Sequence, residues 1–143
     1  METQPLIVER LLAAPASTIW EALIDNEKIK RWYFQLESFE PRVGFEFSFA
    51  GQGAKGEKYI HHCLITAVES EKKLSYTWRY ENYPGDSEVS FELFPEGFQT
   101  LVRITHSGLE TMPQDSPDFA PDSFSKGWNY ILGESLKKFV EEQ

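Results

Sequence analysis

The chain has 143 residues, enough for one domain with a sizeable core, and 15% of them are aromatic, so large flat side chains must fill or line something. The formal net charge of −9 argues against non-specific binding to nucleic acid or an anionic membrane surface. A single cysteine, Cys63, excludes an internal disulfide and a Cys-rich zinc site, and no apolar run approaches the ~18 residues of a membrane span.

Met1 to Pro5 lacks a basic n-region and an apolar h-region, so the expected location is the cytoplasm. Leu6 to Leu12 reads as a first strand, broken by Ala14-Pro15-Ala16. Thr18 and Glu21 then fit a capping box, and Trp20, Leu23 and Ile24 fall on one face of a short helix ending near Asp25-Asn26. A second helical turn, Glu27 to Tyr33, has Ile29, Trp32 and Tyr33 as its apolar side. From Gln35 onward the period changes to two. A strand is expected around Leu36, Phe39 and Pro41, and a clearer one where Phe45, Phe47 and Phe49 alternate with Glu46 and Ser48.

Ala50 to Lys58 is a Gly-rich loop, and Tyr59 to Glu69 a long strand. Leu74, Tyr76, Trp78 and Tyr80 alternate with polar residues, as do Val89, Phe91 and Leu93, and Thr100, Val102, Ile104 and His106 then alternate with Leu101, Arg103 and Thr105. Short turns at Glu71-Lys72-Lys73, Tyr83-Pro84-Gly85-Asp86 and Pro95-Glu96-Gly97 join these runs, which implies antiparallel hairpins. Ser107 to Pro121 is an irregular, Pro-rich connection of the length that often carries function.

Asp122 to Gln143 closes the chain as one long amphipathic helix, started by Asp122 or Ser123 after Pro121. Phe124, Trp128, Ile131, Leu132, Ser135, Phe139 and Val140 lie at offsets of 4, 7, 8, 11, 15 and 16, a single helical face. The order of elements gives an α+β domain spanning residues 1–143, with a curved antiparallel sheet wrapped around this helix. One helix about 10 Å across cannot fill a strongly curved sheet, so large side chains plug the remainder or a cavity stays open.

Pro15, Trp20, Ala22, Leu23 and Trp32, then Leu74-Ser75-Tyr76-Thr77-Trp78, then Thr100 and His106-Ser107-Gly108-Leu109, then Gly127-Trp128 and Leu136, resemble the activator of heat-shock-protein-90 ATPase homologue family. That family belongs to the START-like, or helix-grip, superfamily. The resemblance implies a seven-stranded sheet gripping the C-terminal helix, two short helices after the first strand, and an internal cavity for an apolar or aromatic small molecule. It also implies alternatives: a protein-interaction module of the chaperone-accessory type, or a cyclase or hydrolase. Where the family usually has glycine this chain has Cys63, inside the bulky run Tyr59-Ile60-His61-His62-Cys63, which implies a smaller, more polar pocket.

Gly51-Gln52-Gly53-Ala54-Lys55-Gly56 spells a dinucleotide fingerprint, but a strand follows instead of the helix N-terminus that would meet a pyrophosphate, so a flexible hairpin loop or a gate is the better reading. His61 and Cys63 share a strand face and His106 could lie across the sheet, too small a ligand set for a metal to be expected. No nucleophile elbow and no interior carboxylate pair stands out, so no catalytic residue and no cofactor is assigned. Gly127, one residue before Trp128, reads as a point of close packing on the sheet or of approach to a ligand.

The candidate ligand-binding residues are Trp32, Phe47, Tyr59, His61, Tyr76, Trp78, Phe91, Phe124 and Trp128, with the open space expected between Trp78 and Trp128. The expected partner is an apolar or aromatic small molecule, with a chaperone as the alternative. The chain would act as a monomer or homodimer.

Overall fold

A computed structural model describes residues 4–52, 55–113 and 116–142. Strand β1 (Leu6–Leu12) is followed by helices α1 (Ala16–Ile24) and α2 (Asn26–Trp32), then by β2 (Glu46–Gln52), β3 (Lys58–Glu69), β4 (Lys73–Tyr80), β5 (Ser87–Glu96) and β6 (Gln99–Ser107). The C-terminal rod comprises α3 (Pro121–Tyr130), a π-helical segment (Ile131–Leu136) and α4 (Lys137–Glu141). Every strand pairing is antiparallel, in the order β1-β6-β5-β4-β3-β2, so β2 to β6 form a meander and β1 closes on β6. A register shift between Ile65 and Ala67 bends β3, as a bulge does.

The sheet has six strands among the described residues, not seven. The strand expected around Leu36, Phe39 and Pro41 does not form. Leu36 is buried and Phe39 packs on the core, yet they are three residues apart, a spacing that would send them to opposite faces of a strand. Pro41 also has no N–H for a ladder.

Two helix starts also differ from expectation. Helix α1 begins at Ala16 on the Pro15 carbonyl, which accepts from Thr18 and Ile19, and no Thr18–Glu21 capping box forms. Helix α3 begins with Pro121 at its first position, without a side-chain cap from Asp122 or Ser123.

The C-terminal rod is not one α-helix. Its buried residues are Phe124, Trp128, Leu132, Leu136 and Val140, a strict spacing of four. At 3.6 residues per turn each such step overshoots by about 40°, so a straight α-helix would carry Val140 about 160° away from Phe124. The wider π turns absorb that drift and keep all five residues on the sheet. The expected stripe therefore misses Leu136, which is fully buried, while Ser135 and Phe139 are half-buried and Val140 is buried as expected.

The sheet interior faces this rod with Val8, Leu12, Phe47, Phe49, Tyr59, His61, Cys63, Ile65, Leu74, Tyr76, Trp78, Tyr80, Val89, Phe91, Leu93, Val102, Ile104 and His106, all buried. Alternation thus aims Tyr59, His61 and Cys63 inward together, and His62 outward to Glu81. The Pro-rich connection is not a free loop: short 3-10 turns at Leu109–Thr111 and Pro117–Phe119 seat Leu109, Met112 and Phe119 in the core. Of the Gly-rich loop, Gly53 and Ala54 lie outside the described residues. Gly56 has a φ of +83°, the turn conformation that favours glycine.

Candidate functional site

The space between sheet and rod is closed by rings. Trp78 on β4 meets Trp128 on α3 edge to face with centroids 5.2 Å apart, and both border a cleft at the side of this contact. Phe91 packs 5.9 Å from Trp128, and Phe49 5.6 Å from Trp78. At the α2 end Phe47 meets Tyr76 at 5.0 Å, and the Tyr76 and Tyr33 hydroxyls hydrogen-bond at 2.8 Å. Burial raises the pKa of both phenols and of the Cys63 thiol, so all three are neutral. The room left beside Trp32, Tyr76 and Phe91 is about 10 Å³, no more than one water could use. Tyr76 and Phe91 are therefore core, Phe47 is buried but borders a separate cleft of about 200 Å³ with Glu46, Ser48, His62 and Arg79, and the inward Tyr59-His61-Cys63 face is one reason the interior is full.

One polar chain runs through this core. Trp128 Nε1 donates to His106 Nδ1 at 3.0 Å. An indole nitrogen can only donate, so Nδ1 is unprotonated and the hydrogen of His106 sits on Nε2. Nε2 then donates to Ser87 Oγ at 2.9 Å, and Ser87 donates to the Trp78 carbonyl at 2.6 Å. The chain ties α3 to β6, β5 and β4 in turn. Burial lowers the His106 pKa to about 3, and a second proton would also have to face the Trp128 N–H. His106 is a neutral, fully engaged structural group.

Three clefts lie to one side of the rod. A cleft of about 320 Å³ is lined by Phe34, Gly51, Gln52, Tyr59, His61, Tyr80, Asp118, Phe119 and Ser123. A second, of about 180 Å³, shares Phe34, Gln52, Tyr80, Asp118 and Ser123 and adds Trp78, Phe124, Gly127, Trp128 and Ile131. A third, of about 410 Å³, continues past Phe34, Gly127 and Ile131 to Arg31, Trp32, Tyr130 and Ser135. Phe34 borders all three, so together they form one groove along α3 and the start of the π segment.

Of the nine residues expected at the site, Trp32, Tyr59, His61, Trp78, Phe124 and Trp128 border the groove. Phe34, Tyr80, Asp118, Phe119 and Ile131 are lining residues that sequence reasoning missed. Phe34 follows α2 outside any periodic run, and Asp118 and Phe119 sit in the connection read as irregular. Tyr80 was legible: it ends the alternating run of Trp78.

His61 is buried and stacks on Phe49 at 4.4 Å. Its Nδ1 faces the Phe49 carbonyl at 3.3 Å and so acts as donor. Burial lowers its pKa to about 4, although carbonyls of Phe49 and Tyr59 favour the charged form. A Cβ on Gly51 would come within 2.8 Å of His61 Cε1, so the glycine makes room for the ring.

Tyr59 donates to Asp118 Oδ2 at 2.7 Å, joining β3 to the connection, and this bond raises the phenol's pKa. Among the described residues no three His, Cys, Asp or Glu side chains group as a metal ligand set, and Trp78 stands between His61 and His106.

Gly127 does not pack closely on the sheet. It is exposed, with nothing within 4 Å of where a Cβ would lie, and it borders the groove. Close packing belongs to Gly133, where a Cβ would meet Arg10 Nε at 3.2 Å.

An antiparallel sheet closed over a C-terminal rod, with two short helices after its first strand, defines a helix-grip domain of the START-like kind. The chain belongs to the family described as Activator of Hsp90 ATPase homolog 1-like protein, whose profile matches residues 13–141. Among solved structures it is similar to protein MLL2253 from Mesorhizobium loti, with 27% identity, 98% of each chain covered and a TM-score of 0.77. It is also similar to CalU16 from Micromonospora echinospora, with 25% identity, 95% of this chain and 73% of that one covered and a TM-score of 0.72. Protein CV1439 from Chromobacterium violaceum shares the fold at 22% identity, 96% and 97% coverage and a TM-score of 0.81. No curated protein matches the chain. No helix among the described residues is long and apolar enough to cross a membrane.

Proposed function

We propose that this protein is a cytoplasmic small-molecule-binding domain whose ligand lies in the groove beside α3, against Phe34, Trp78, Phe124 and Trp128, rather than in a chamber inside the sheet. The observation that carries the reading is the run of three adjoining clefts sharing Phe34, bordered by an exposed mid-helix glycine. Gly127 costs about 1 kcal/mol relative to alanine in a helix interior. No packing contact on the protein side accounts for it, whereas a flat ligand lying against the helix backbone would.

A mostly aromatic concavity with a few polar groups suits an apolar or aromatic molecule. The reading assigns binding and not turnover, because His106 is wholly engaged within the core and burial makes His61 a weak base.

The test is titration with a panel of aromatic and polycyclic compounds, read by tryptophan fluorescence and by melting temperature. Trp78 and Trp128 border the groove and should report occupancy. Ligands that move neither signal across the panel would remove the reading.

A second reading, a chaperone-accessory module, is favoured by the fully projecting Phe98 at the β5–β6 turn, 95% exposed on an acidic protein. Pulldown from cytosol with wild type and Phe98→Ser decides it, since a chaperone held through this tip should be lost from the variant.

A further inference from the structure

We propose that the Asp118 end of the groove selects a small organic cation, an amine or quaternary ammonium carrying an apolar body. The inference rests on the groove being the ligand site, and it deepens that reading by naming the ligand's charge. The cleft of about 320 Å³ is walled by the rings of Phe34, Tyr59, His61, Tyr80 and Phe119. These rings brace one another: Tyr59–Phe119 centroids are 5.2 Å apart, Tyr80–Phe119 4.7 Å, His61–Tyr80 4.7 Å and Phe34–His61 5.8 Å. Aromatic faces carry negative electrostatic potential and attract a cation held within about 6 Å of the ring centre, an effect that grows as water is excluded.

Among the described residues of that lining the carboxylate is Asp118, and none is a lysine or arginine. Its histidine is held neutral by burial. Tyr59 spends its single hydroxyl hydrogen on Asp118 Oδ2, which orients the carboxylate and leaves the phenol oxygen as an acceptor toward a donor ligand. Ser123 brings the first turn of α3 to the rim, and Asp122 in that same turn offsets the helix's partial positive charge. The net charge of −9 adds a long-range field that draws cations in. Arg31 lies at the far end of the groove, in the cleft that does not include Asp118, so the two ends differ in sign.

The experiment compares benzyltrimethylammonium with its uncharged isostere, neopentylbenzene, at pH 7.5, by calorimetry and tryptophan fluorescence. The cation is expected to bind at least tenfold more tightly, and to weaken as sodium chloride is raised from 20 to 300 mM. Asp118→Asn keeps an acceptor for Tyr59 and should erase most of that preference. Tyr59→Phe keeps the charge, and should retain the preference even if Asp118→Asn proves poorly folded by circular dichroism. Equal or tighter binding of neopentylbenzene would overturn the cation inference and leave the groove as an apolar site. Failure of both probes to bind overturns the cation inference, and joined to a silent aromatic panel it removes the groove reading as well.

Discussion

At the scale of single residues, the two inward histidines set how the protein responds to acid. His106 and His61 have folded-state pKa values of about 3 and about 4, below the ordinary 6.5, because burial disfavours the charged ring. Between those values and 6.5 the unfolded chain binds protons that the folded chain refuses, so stability rises with pH across that window. The contribution is complete above about 6.5 and is lost as pH falls toward 4, by up to about 1.4 kcal/mol per pH unit for each histidine. Urea unfolding of the wild type from pH 7.5 to 4.5 should show that decline. In His106→Gln the slope should fall by close to one proton. Its stability at pH 7.5 should also drop by about 1–3 kcal/mol, because Trp128 and Ser87 lose well-aimed partners in the core. An unchanged slope would mean that His106 takes up its proton in the fold.

At the scale of elements, the C-terminal rod separates packing from binding. Gly127→Ala adds a methyl where nothing lies within 4 Å, and should raise stability by about 0.5–1 kcal/mol through helix propensity alone. Gly127→Leu projects a side chain into the groove, and should abolish ligand signals while the melting temperature holds. Loss of fold in either variant would show that the glycine serves the sheet after all. The π segment yields a second prediction. Its core residues follow at intervals of four, and removing the exposed Glu134 would place the former Leu136 and Val140 at offsets of 11 and 15 from Phe124. With Trp128 and Leu132 at 4 and 8, that is an ordinary α-helical face. Deleting Glu134 should therefore leave a folded protein whose rod is α-helical throughout, seen by NMR chemical shifts. Because Ile131 and Ser135 border the groove, ligand affinity should change even where stability does not. A deletion variant that fails to fold would show that the wide turn is required for packing. The rod also shows where sequence pattern misleads. A 3.6-residue stripe picks out Phe124, Trp128, Leu132 and Val140 but misses Leu136, because the true face follows a period of four that amphipathicity analysis does not seek.

At the scale of the whole molecule, hairpin order was legible because five strand-like runs joined by short turns and one Gly-rich loop admit few other arrangements. The missing seventh strand was not, since Leu36 and Phe39 look apolar in sequence whichever way the backbone turns. The groove was harder still. It is built where the ends of β2 and β3, the Phe34 segment, the Asp118 turn and α3 come together, and no local period records that junction. The same junction makes a ligand a global stabiliser, because contacts to α3, to the sheet and to the connection are all lost on unfolding. A ligand that binds only the folded state at a hundred times its Kd stabilises by about 2.7 kcal/mol. For a domain of this size each kcal/mol moves the melting temperature by about 3–5 °C, so the shift should be about 8–14 °C. Differential scanning fluorimetry over a concentration series checks this, and the shift should grow logarithmically with free ligand. A compound that quenches tryptophan yet leaves the melting temperature flat at such excess binds folded and unfolded chains alike, and is not the occupant of a site assembled from separate segments.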